Sequence, residues 1–329
     1  MNIIDTDDIS EKLRLKGIDT SNQKISITNF SGSDQEKDLT EPANCDGFGR
    51  IRHFKMKNSS DWPANPLPIV PALHKLGKDK ANEISAQVFQ NSICNWRCWY
   101  CFVDFKLLSG SKKYSSFLHC DELVDMYLSN EDRPSMIDLS GGQPDLTPEW
   151  IPWMMAALQK KGLEKEVFLW SDDNLSNDFF WKYLSDEQIS DIESYEMYSK
   201  VCCFKGVDEI SFEVNTQADG SLFHRQLELF QRFAATNIDM YAYITLTADK
   251  RTQPETSIPK FLDRIQKIKN EFPLRIVPLK IFTFTPMKDR TSVDQTELLL
   301  GQEKAIEIWQ KEIDRRFTHE QKQTPIYMI

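Results

Sequence analysis

Short apolar runs of strand length alternate with longer stretches of helical periodicity from residue 84 onward, and this alternation limits the possible folds. The order predicts βαβ units around a parallel sheet, which is either an open doubly wound sheet or a partial barrel. In both architectures the active site lies at the carboxyl ends of the strands. Six strands are predicted, at 84–90, 136–140, 167–170, 209–214, 238–246 and 276–284.

Three regions follow from this pattern. Residues 1–83 are predicted to form an irregular extension, residues 84–285 the α/β core, and residues 286–329 a helical extension. Prolines that disfavour long helices punctuate the first region at Pro63, Pro66, Pro68 and Pro71.

The N-terminal extension could cover the mouth of the barrel. Its segment 44–50 contains Cys45 and leads to Arg50, Arg52 and His53. If this segment contacts a substrate, these cations would suit a carboxylate or a phosphate group. The alternative is ordinary solvent-facing charge.

Three of the seven cysteines lie within eight residues, directly after the first predicted strand of the core. Cys94, Cys98 and Cys101 have the spacing C-x3-C-x2-C, so their thiolates can converge on one metal centre. Soft thiolates favour zinc, copper(I) or an iron–sulfur cluster. A structural zinc ion normally takes four ligands, and the nearest further candidates are His119 and Cys120. Three thiolates on a four-iron cluster would leave one iron open to a ligand. Three buried free thiols are the remaining alternative.

This cysteine loop resembles that of the radical S-adenosylmethionine (radical SAM) superfamily, because aromatic Tyr100 also precedes the last cysteine. The resemblance implies a partial (β/α)6 barrel, with Cys94, Cys98 and Cys101 holding a [4Fe–4S] cluster and SAM chelating the fourth iron. It also implies that Tyr100 packs near the SAM adenine. Gly141, Gly142, Gln143 and Pro144 resemble the Gly-Gly-Glu-Pro motif that binds the SAM ammonium. Gln143 replaces the usual glutamate and lacks its charge.

Polar residues at two further strands complete the predicted SAM site. Ser171, Asp172 and Asn174 follow the third strand, where members of the superfamily often place a polar residue against SAM. Ser211 and Glu213 lie in the predicted fourth strand and resemble polar strand positions that touch SAM in several members. Helix capping and polar packing are the structural alternatives for these five residues.

The resemblance implies an oxidoreductase in which the reduced cluster cleaves SAM to methionine and a 5′-deoxyadenosyl radical. That radical would take a hydrogen atom from a small molecule, nucleoside, peptide or glycyl-radical partner. An electron donor such as flavodoxin or ferredoxin is implied. No cysteine follows Cys203, and this absence favours a compact member with a single cluster. Such a member would be similar to glycyl-radical activases or to single-cluster enzymes that act on small molecules or nucleosides. The alternatives are a non-catalytic iron–sulfur electron carrier and a zinc-stabilised binding protein.

Charge and composition bear on partners and compartment. With 40 basic and 50 acidic residues, the net charge of −10 disfavours nucleic-acid binding through a broad basic surface. No apolar run reaches the roughly 20 residues of a membrane span. The first residues are acidic and do not resemble a secretory signal, so a reducing, cytoplasmic setting is expected.

Overall fold

A seven-stranded sheet forms the centre of the protein in the computed structural model, which describes residues 3–58, 64–290 and 293–329. The strands of this sheet are β3 (Gly49–Lys55), β4 (Glu83–Phe89), β6 (Met136–Leu139), β7 (Phe168–Asp173), β8 (Tyr198–Phe204), β9 (Met240–Ile244) and β10 (Ile276–Pro278). Their spatial order is β10-β9-β8-β7-β6-β4-β3. Six neighbouring strands run parallel, and the edge strand β3 pairs antiparallel with β4.

The sheet is curled into a half-barrel, which confirms the predicted α/β partial barrel. The four residues of β6 and the five of β9 are all buried, as expected for parallel strands covered on both faces. Helices connect the parallel strands, so the carboxyl ends of these strands meet at one end of the half-barrel.

The prediction for the fourth strand was wrong. Residues 209–214 belong to helix α7 (Glu209–Thr216), and the fourth parallel strand is β8. Alternating Ile210, Phe212 and Val214 suggested a strand, yet Asp208 caps the helix by accepting from the Ser211 N–H. The sequence pattern did not indicate β8, because it contains Lys200. A lysine is rarely fully buried, as Lys200 is, so the segment does not have the apolar pattern of a buried strand.

The N-terminal region is more regular than predicted. It contains α1 (Thr6–Gly17), α2 (Ile69–Lys75), β3, and strands β1 (Ile18–Asp19) and β2 (Lys24–Thr28), which form a small sheet with β5 (Ser115–His119). Arg14 of α1 forms a bidentate ion pair with Glu149, and Thr6 accepts from the Trp96 indole at 3.0 Å. These contacts attach α1 to the cysteine loop and to the helix after β6. Pro63 lies outside the described residues.

The remaining helices cover the sheet, and the last of them continue the chain beyond its final strand. Trp309 of the last long helix packs on Phe261, with ring centroids 6.1 Å apart, so the predicted C-terminal helix is present. Within the described ranges, none of the helices is long and apolar enough to cross a membrane. These helices are α3 (Cys120–Leu128), α4 (Trp150–Lys160), α5 (Phe179–Tyr183), α6 (Asp186–Ser194), α8 (Leu222–Ala234), α9 (Pro254–Ile268), α10 (Gln295–Arg316) and α11 (His319–Gln323).

Candidate active site

A cavity of about 180 Å³ opens at the carboxyl ends of the parallel strands, and the three clustered cysteines line it. We call it the inner cavity. It brings together the cysteine loop and the ends of β6, β7 and β8, as the sequence predicted for an α/β barrel. The lining residues from these segments are Cys94, Cys98, Tyr100, Cys101, Ser140, Gly141, Gly142, Asp172, Asn174, Cys203 and Lys205.

Backbone hydrogen bonds hold the cysteine loop on two sides. The Cys94 N–H donates to the Leu108 carbonyl at 3.1 Å. On the other side the Arg97 and Trp99 N–H groups donate to the carbonyls of Thr216 and Asn215, both at 3.3 Å. The helix α7 that the sequence analysis mistook for a strand therefore supports the loop with its last turn.

Arg290 clamps the same loop from the far end of the chain. Its Nη1 donates to the carbonyls of Cys98, Trp99 and Cys101, and its Nη2 donates to the Val103 carbonyl at 2.8 Å. The guanidinium also lies over the Phe105 ring, 3.9 Å from its centroid. One side chain thus fixes the backbone around two of the three thiols. Sequence analysis missed Arg290, because nothing in its local sequence connects it to the cysteines.

The thiols are held in a low-dielectric setting, with the cations of Arg97, Lys205 and Arg290 nearby. Burial raises the pKa of Cys98 to about 12 and also raises the pKa of Cys94, while the Lys205 ammonium acts in the opposite direction on both. Burial opposes the charge of Lys205, but Tyr100, Cys203 and the loop thiols together raise its pKa. Lys205 follows β8, so recognising that strand would have identified it.

The glycine pair after β6 has the conformation that its sequence suggests. Gly141 and Gly142 have φ angles of +76° and +66°, which L side chains rarely adopt. A Cβ on Gly142 would lie 2.4 Å from the carbonyl oxygens of both Asn91 and Ile93, just before the cysteine loop. The pair therefore allows the β6 loop to pack directly against the segment that carries Cys94.

Replacing Gly142 with alanine is expected to destabilise the protein more than the same change at Gly162. Gly162 also has a positive φ of +71°, but its Cβ would meet nothing within 4 Å. Gly162→Ala should therefore lower the free energy of unfolding only by the energy of the left-handed conformation, about 1–2 kcal/mol. Gly142→Ala adds a backbone clash, which should cost about 1–3 kcal/mol more. Urea unfolding of the two variants measures the difference, and equal losses would contradict this account.

Gln143 and Pro144 lie behind the inner cavity and do not line it. The Gln143 amide donates to Asp173 Oδ1 at 2.7 Å, and its Oε1 accepts from the Asn174 N–H at 2.9 Å. Both ends of the side chain thus connect the β6 loop to the end of β7. Pro144 is buried and begins a short 3-10 helix. In this structure Gln143 positions the loop, and the cavity wall from this motif is formed by the two glycines and Ser140.

A buried ion cluster lies beside this loop. Lys200 Nζ is 2.8 Å from both carboxylate oxygens of Asp145 and 4.0 Å from Asp173 Oδ2. Burial and the proximity of Asp173 raise the pKa of Asp145 to about 7, and the two acids raise the pKa of Lys200 against the effect of burial. The cluster joins the β6 loop to β7 and β8.

The three residues predicted after the third strand separate into two environments. Asp172 and Asn174 line the inner cavity, whereas Ser171 is buried and lies 2.7 Å from the Tyr198 hydroxyl. Burial, reinforced by repulsion from Asp138, raises the pKa of Asp172 to about 7. Asn174 donates to Asn95 Oδ1 at 3.0 Å, while its own buried Oδ1 has no partner among the described residues. That oxygen remains available to a donor.

Ser211 and Glu213 do not contribute to the inner cavity. Their strand assignment is corrected above, and on α7 Ser211 belongs to the helix cap, where its hydroxyl accepts from the Val207 N–H at 3.0 Å. Glu213 is exposed on the same helix. The residues that β8 contributes to the inner cavity are instead Cys203, at the strand itself, and Lys205, just after it.

The donor set fits the implied iron–sulfur cluster and SAM. Three soft thiols from one loop line a cavity that Asn174 also lines, and the buried Oδ1 of Asn174 has no hydrogen-bond partner among the described residues. In the described part of the chain, no three His, Cys, Asp or Glu side chains are grouped closely enough to hold a single metal ion. A cubane does not require such a group, because each of its thiolate ligands binds a different iron.

A second, wider groove of about 420 Å³ adjoins the inner cavity, and we call it the outer groove. The two share Arg50, Arg52, Phe102 and Phe284 in their walls. The inner cavity alone is smaller than the roughly 300 Å³ at the lower end of ligand pockets. A ligand larger than the inner cavity would therefore extend toward the outer groove. β3 of the N-terminal region supplies Arg50 and Arg52 to both walls.

Comparison with solved structures gives partial likenesses at low sequence identity. SuiB of Streptococcus suis bound to S-adenosylmethionine has a TM-score of 0.46 and 13% identity, over 70% of this chain and 48% of SuiB. SuiB bound to its precursor peptide SuiA has a TM-score of 0.40 and 12% identity, over 55% and 36%. The protein anSMEcpe with bound AdoMet and Cp18Cys peptide has a TM-score of 0.39 and 12% identity, over 68% and 56%.

These matches span between about a third and just over half of the other proteins' lengths. At such TM-scores the fold assignment rests on the strand order described above. No protein-family profile and no curated protein matches the sequence.

Proposed function

We propose that this protein is a radical SAM enzyme, in which Cys94, Cys98 and Cys101 hold a [4Fe–4S] cluster and SAM occupies the inner cavity. The observation that carries the proposal is the meeting of the C-x3-C-x2-C loop with the glycine pair and Asn174 around one cavity. These elements come from three separate parts of the chain. They converge at the end of a parallel half-barrel, where α/β enzymes place their active sites.

The residues of the chain have distinct roles in this proposal. Gly141 and Gly142 leave backbone exposed to the SAM amino acid moiety, and Asn174 Oδ1 accepts a hydrogen bond from SAM. Tyr100 presents its ring to the adenine; its hydroxyl is fixed by a hydrogen bond from Thr245 at 3.0 Å. Lys205 supplies positive charge beside the thiolates. Arg290 holds the loop backbone in position.

Held by Cys94, Cys98 and Cys101, a reduced [4Fe–4S] cluster would supply the one-electron reductive cleavage of bound SAM, and the SAM-derived radical would supply the abstraction of a substrate hydrogen atom. The protein shelters this chemistry from water, since Trp96, Trp99 and Tyr100 around the cysteines are all buried. A one-electron donor such as flavodoxin or ferredoxin would reduce the cluster.

Anaerobic reconstitution tests the proposal. We expect about four irons per chain, a change in the EPR signal of the reduced cluster on addition of SAM, and 5′-deoxyadenosine with dithionite present. If SAM does not change the EPR signal of the cluster and no 5′-deoxyadenosine forms, the protein would be an electron carrier. Zinc without iron after reconstitution would indicate a zinc-stabilised protein. Either result would overturn the proposal.

A further inference from the structure

Arg50 is a buried cation, and no acidic side chain in the described ranges forms an ion pair with it. It is 5% exposed, and its Nε and Nη2 atoms have no hydrogen-bond partner among the described residues. Its guanidinium carbon lies 5.2 Å from the Phe102 ring centroid and 6.0 Å from that of Phe30. Burying a charge without a partner is costly, so such a group is usually paired. Arg50 therefore has unpartnered donors for an anion, since no described carboxylate lies within ion-pair distance and Asp138 and Asp172 attract it only at longer range.

The position of Arg50 points to a ligand outside the SAM region. Arg50 lies on β3, where it pairs with Val88 of β4, and its side chain is part of the wall shared by the inner cavity and the outer groove. The cysteines, the glycine pair and Asn174 line only the inner cavity. An anion on Arg50 would thus lie between the groove entrance and the cysteines.

Among the described cations of this wall, Arg52 forms an ion pair and Arg50 does not, although Asp138 and Asp172 attract Arg50 at longer range. Arg52 is 3.2 Å from Asp138 Oδ2, and His53 is 2.6 Å from Glu41 Oε1. The described ion pairs do not include Arg50. Among the described residues that line the outer groove, Asp38 is the single acid, against Arg50, Arg52 and Lys55. A cationic groove on a protein with a net charge of −10 favours an anionic ligand locally.

We infer that Arg50 binds the carboxylate or phosphate group of an anionic small-molecule substrate, with the rest of that substrate directed into the inner cavity. The inference rests on the proposed function for the position of the reacting end. Carboxylate and phosphate share the chemistry that a planar guanidinium recognises, through two parallel hydrogen bonds from Nε and one Nη. These are positions at which Arg50 has free donors.

Calorimetric titration of inorganic phosphate and of succinate into the reconstituted, SAM-saturated protein tests this inference. Both anions should bind, and the tighter one identifies the class of substrate group. Arg50→Met should weaken that binding roughly 10- to 100-fold, the usual effect of losing hydrogen bonds to a charged group. Arg133→Met is the matched control, because it removes the same charge from an exposed arginine that lines neither pocket. It should bind both anions as the wild type does.

Three results would overturn the inference. The first is that neither anion binds the wild-type protein, and the second is that Arg50→Met binds as tightly as wild type. The third is that SAM and the anion compete and Arg50→Met weakens SAM, which would place Arg50 in the SAM site. If Arg50→Met does not fold, Arg50→Lys replaces it. This variant should weaken the binding of succinate more than that of phosphate, because an ammonium lacks the planar fork of a guanidinium. Unchanged affinities for both anions would contradict the inference.

The same titration separates this inference from the proposed function. If the protein binds neither cluster nor SAM, the titration is repeated on the cofactor-free protein. If the cofactor-free protein binds an anion and Arg50→Met weakens that binding, the anion site is supported although the radical SAM proposal fails. SAM cleavage by a protein that binds neither anion would give the opposite result.

Discussion

Cys98→Ala is expected to abolish cluster assembly and SAM cleavage together. Cys98 is the most deeply buried of the three loop thiols, and its backbone carbonyl accepts a hydrogen bond from Arg290. Removing one of three thiolates leaves an iron without its protein ligand. Because changes in groups that merely support a ligand already cost about 10–100-fold, we expect a loss greater than about 100-fold. Iron and sulfide content per chain and 5′-deoxyadenosine formation measure it after anaerobic reconstitution.

Cys120→Ala provides the matched control for this experiment. Cys120 is also a buried, free thiol, but it lies at the start of α3 and lines neither pocket. The variant should therefore retain iron, sulfide and activity near the wild-type values. If Cys98→Ala retained a full complement of iron, the assignment of the ligands would be wrong.

Lys200→Met is expected to cause the largest loss of stability, about 3–5 kcal/mol, which is typical when one partner of a buried ion pair is removed. Lys200 is fully buried, and it donates to both carboxylate oxygens of Asp145. Without it, Asp145 and Asp173 would share a buried region with no cation between them. Since domains unfold at about 5–15 kcal/mol in total, this loss is a large fraction. Urea unfolding of the cofactor-free protein measures it.

The double variant Lys200→Met/Asp145→Asn distinguishes charge from packing. Removing both charges should restore part of the stability, because the remaining Asp173 keeps its hydrogen bonds from Gln143 and the Leu175 N–H. Lys160→Met is the surface control: its pair with Asp121 is exposed on both sides, and the change should have little effect. A loss of less than about 1 kcal/mol in Lys200→Met would refute the proposed importance of the buried cluster.

The sequence predicted a parallel α/β sheet from its periodicity, and the resemblance of its cysteine loop implied the half-barrel. It also predicted that the cysteine loop meets the β6 and β7 ends, because the carboxyl ends of parallel strands share one edge. It did not predict β8, since a lysine in the centre of a strand makes sense only when Asp145, 55 residues earlier, lies against it. For α7, the signals were present but were outweighed by alternation: Gly206 precedes the helix, and Asp208 caps it.

The roles of Arg50 and Arg290 show a second limit of sequence reasoning. Arg50 could be considered as an anion ligand from its residue type, but its burial and lack of a partner are properties of the folded chain. The contacts of Arg290 with the loop span about 190 residues of sequence. Long-range hydrogen bonds of this kind leave no periodicity or spacing in the chain, so only the structure reveals them.

The clamp by Arg290 has a consequence for the order of events during synthesis. The ribosome makes the three thiols about 190 residues before the guanidinium that fixes their loop. At about 5–20 residues per second, this interval lasts roughly 10–40 s. During that time the loop lacks four of its carbonyl contacts. In the proposed function, insertion of a cluster into the fixed loop therefore follows translation of residue 290, when the chain can form the Arg290 contacts.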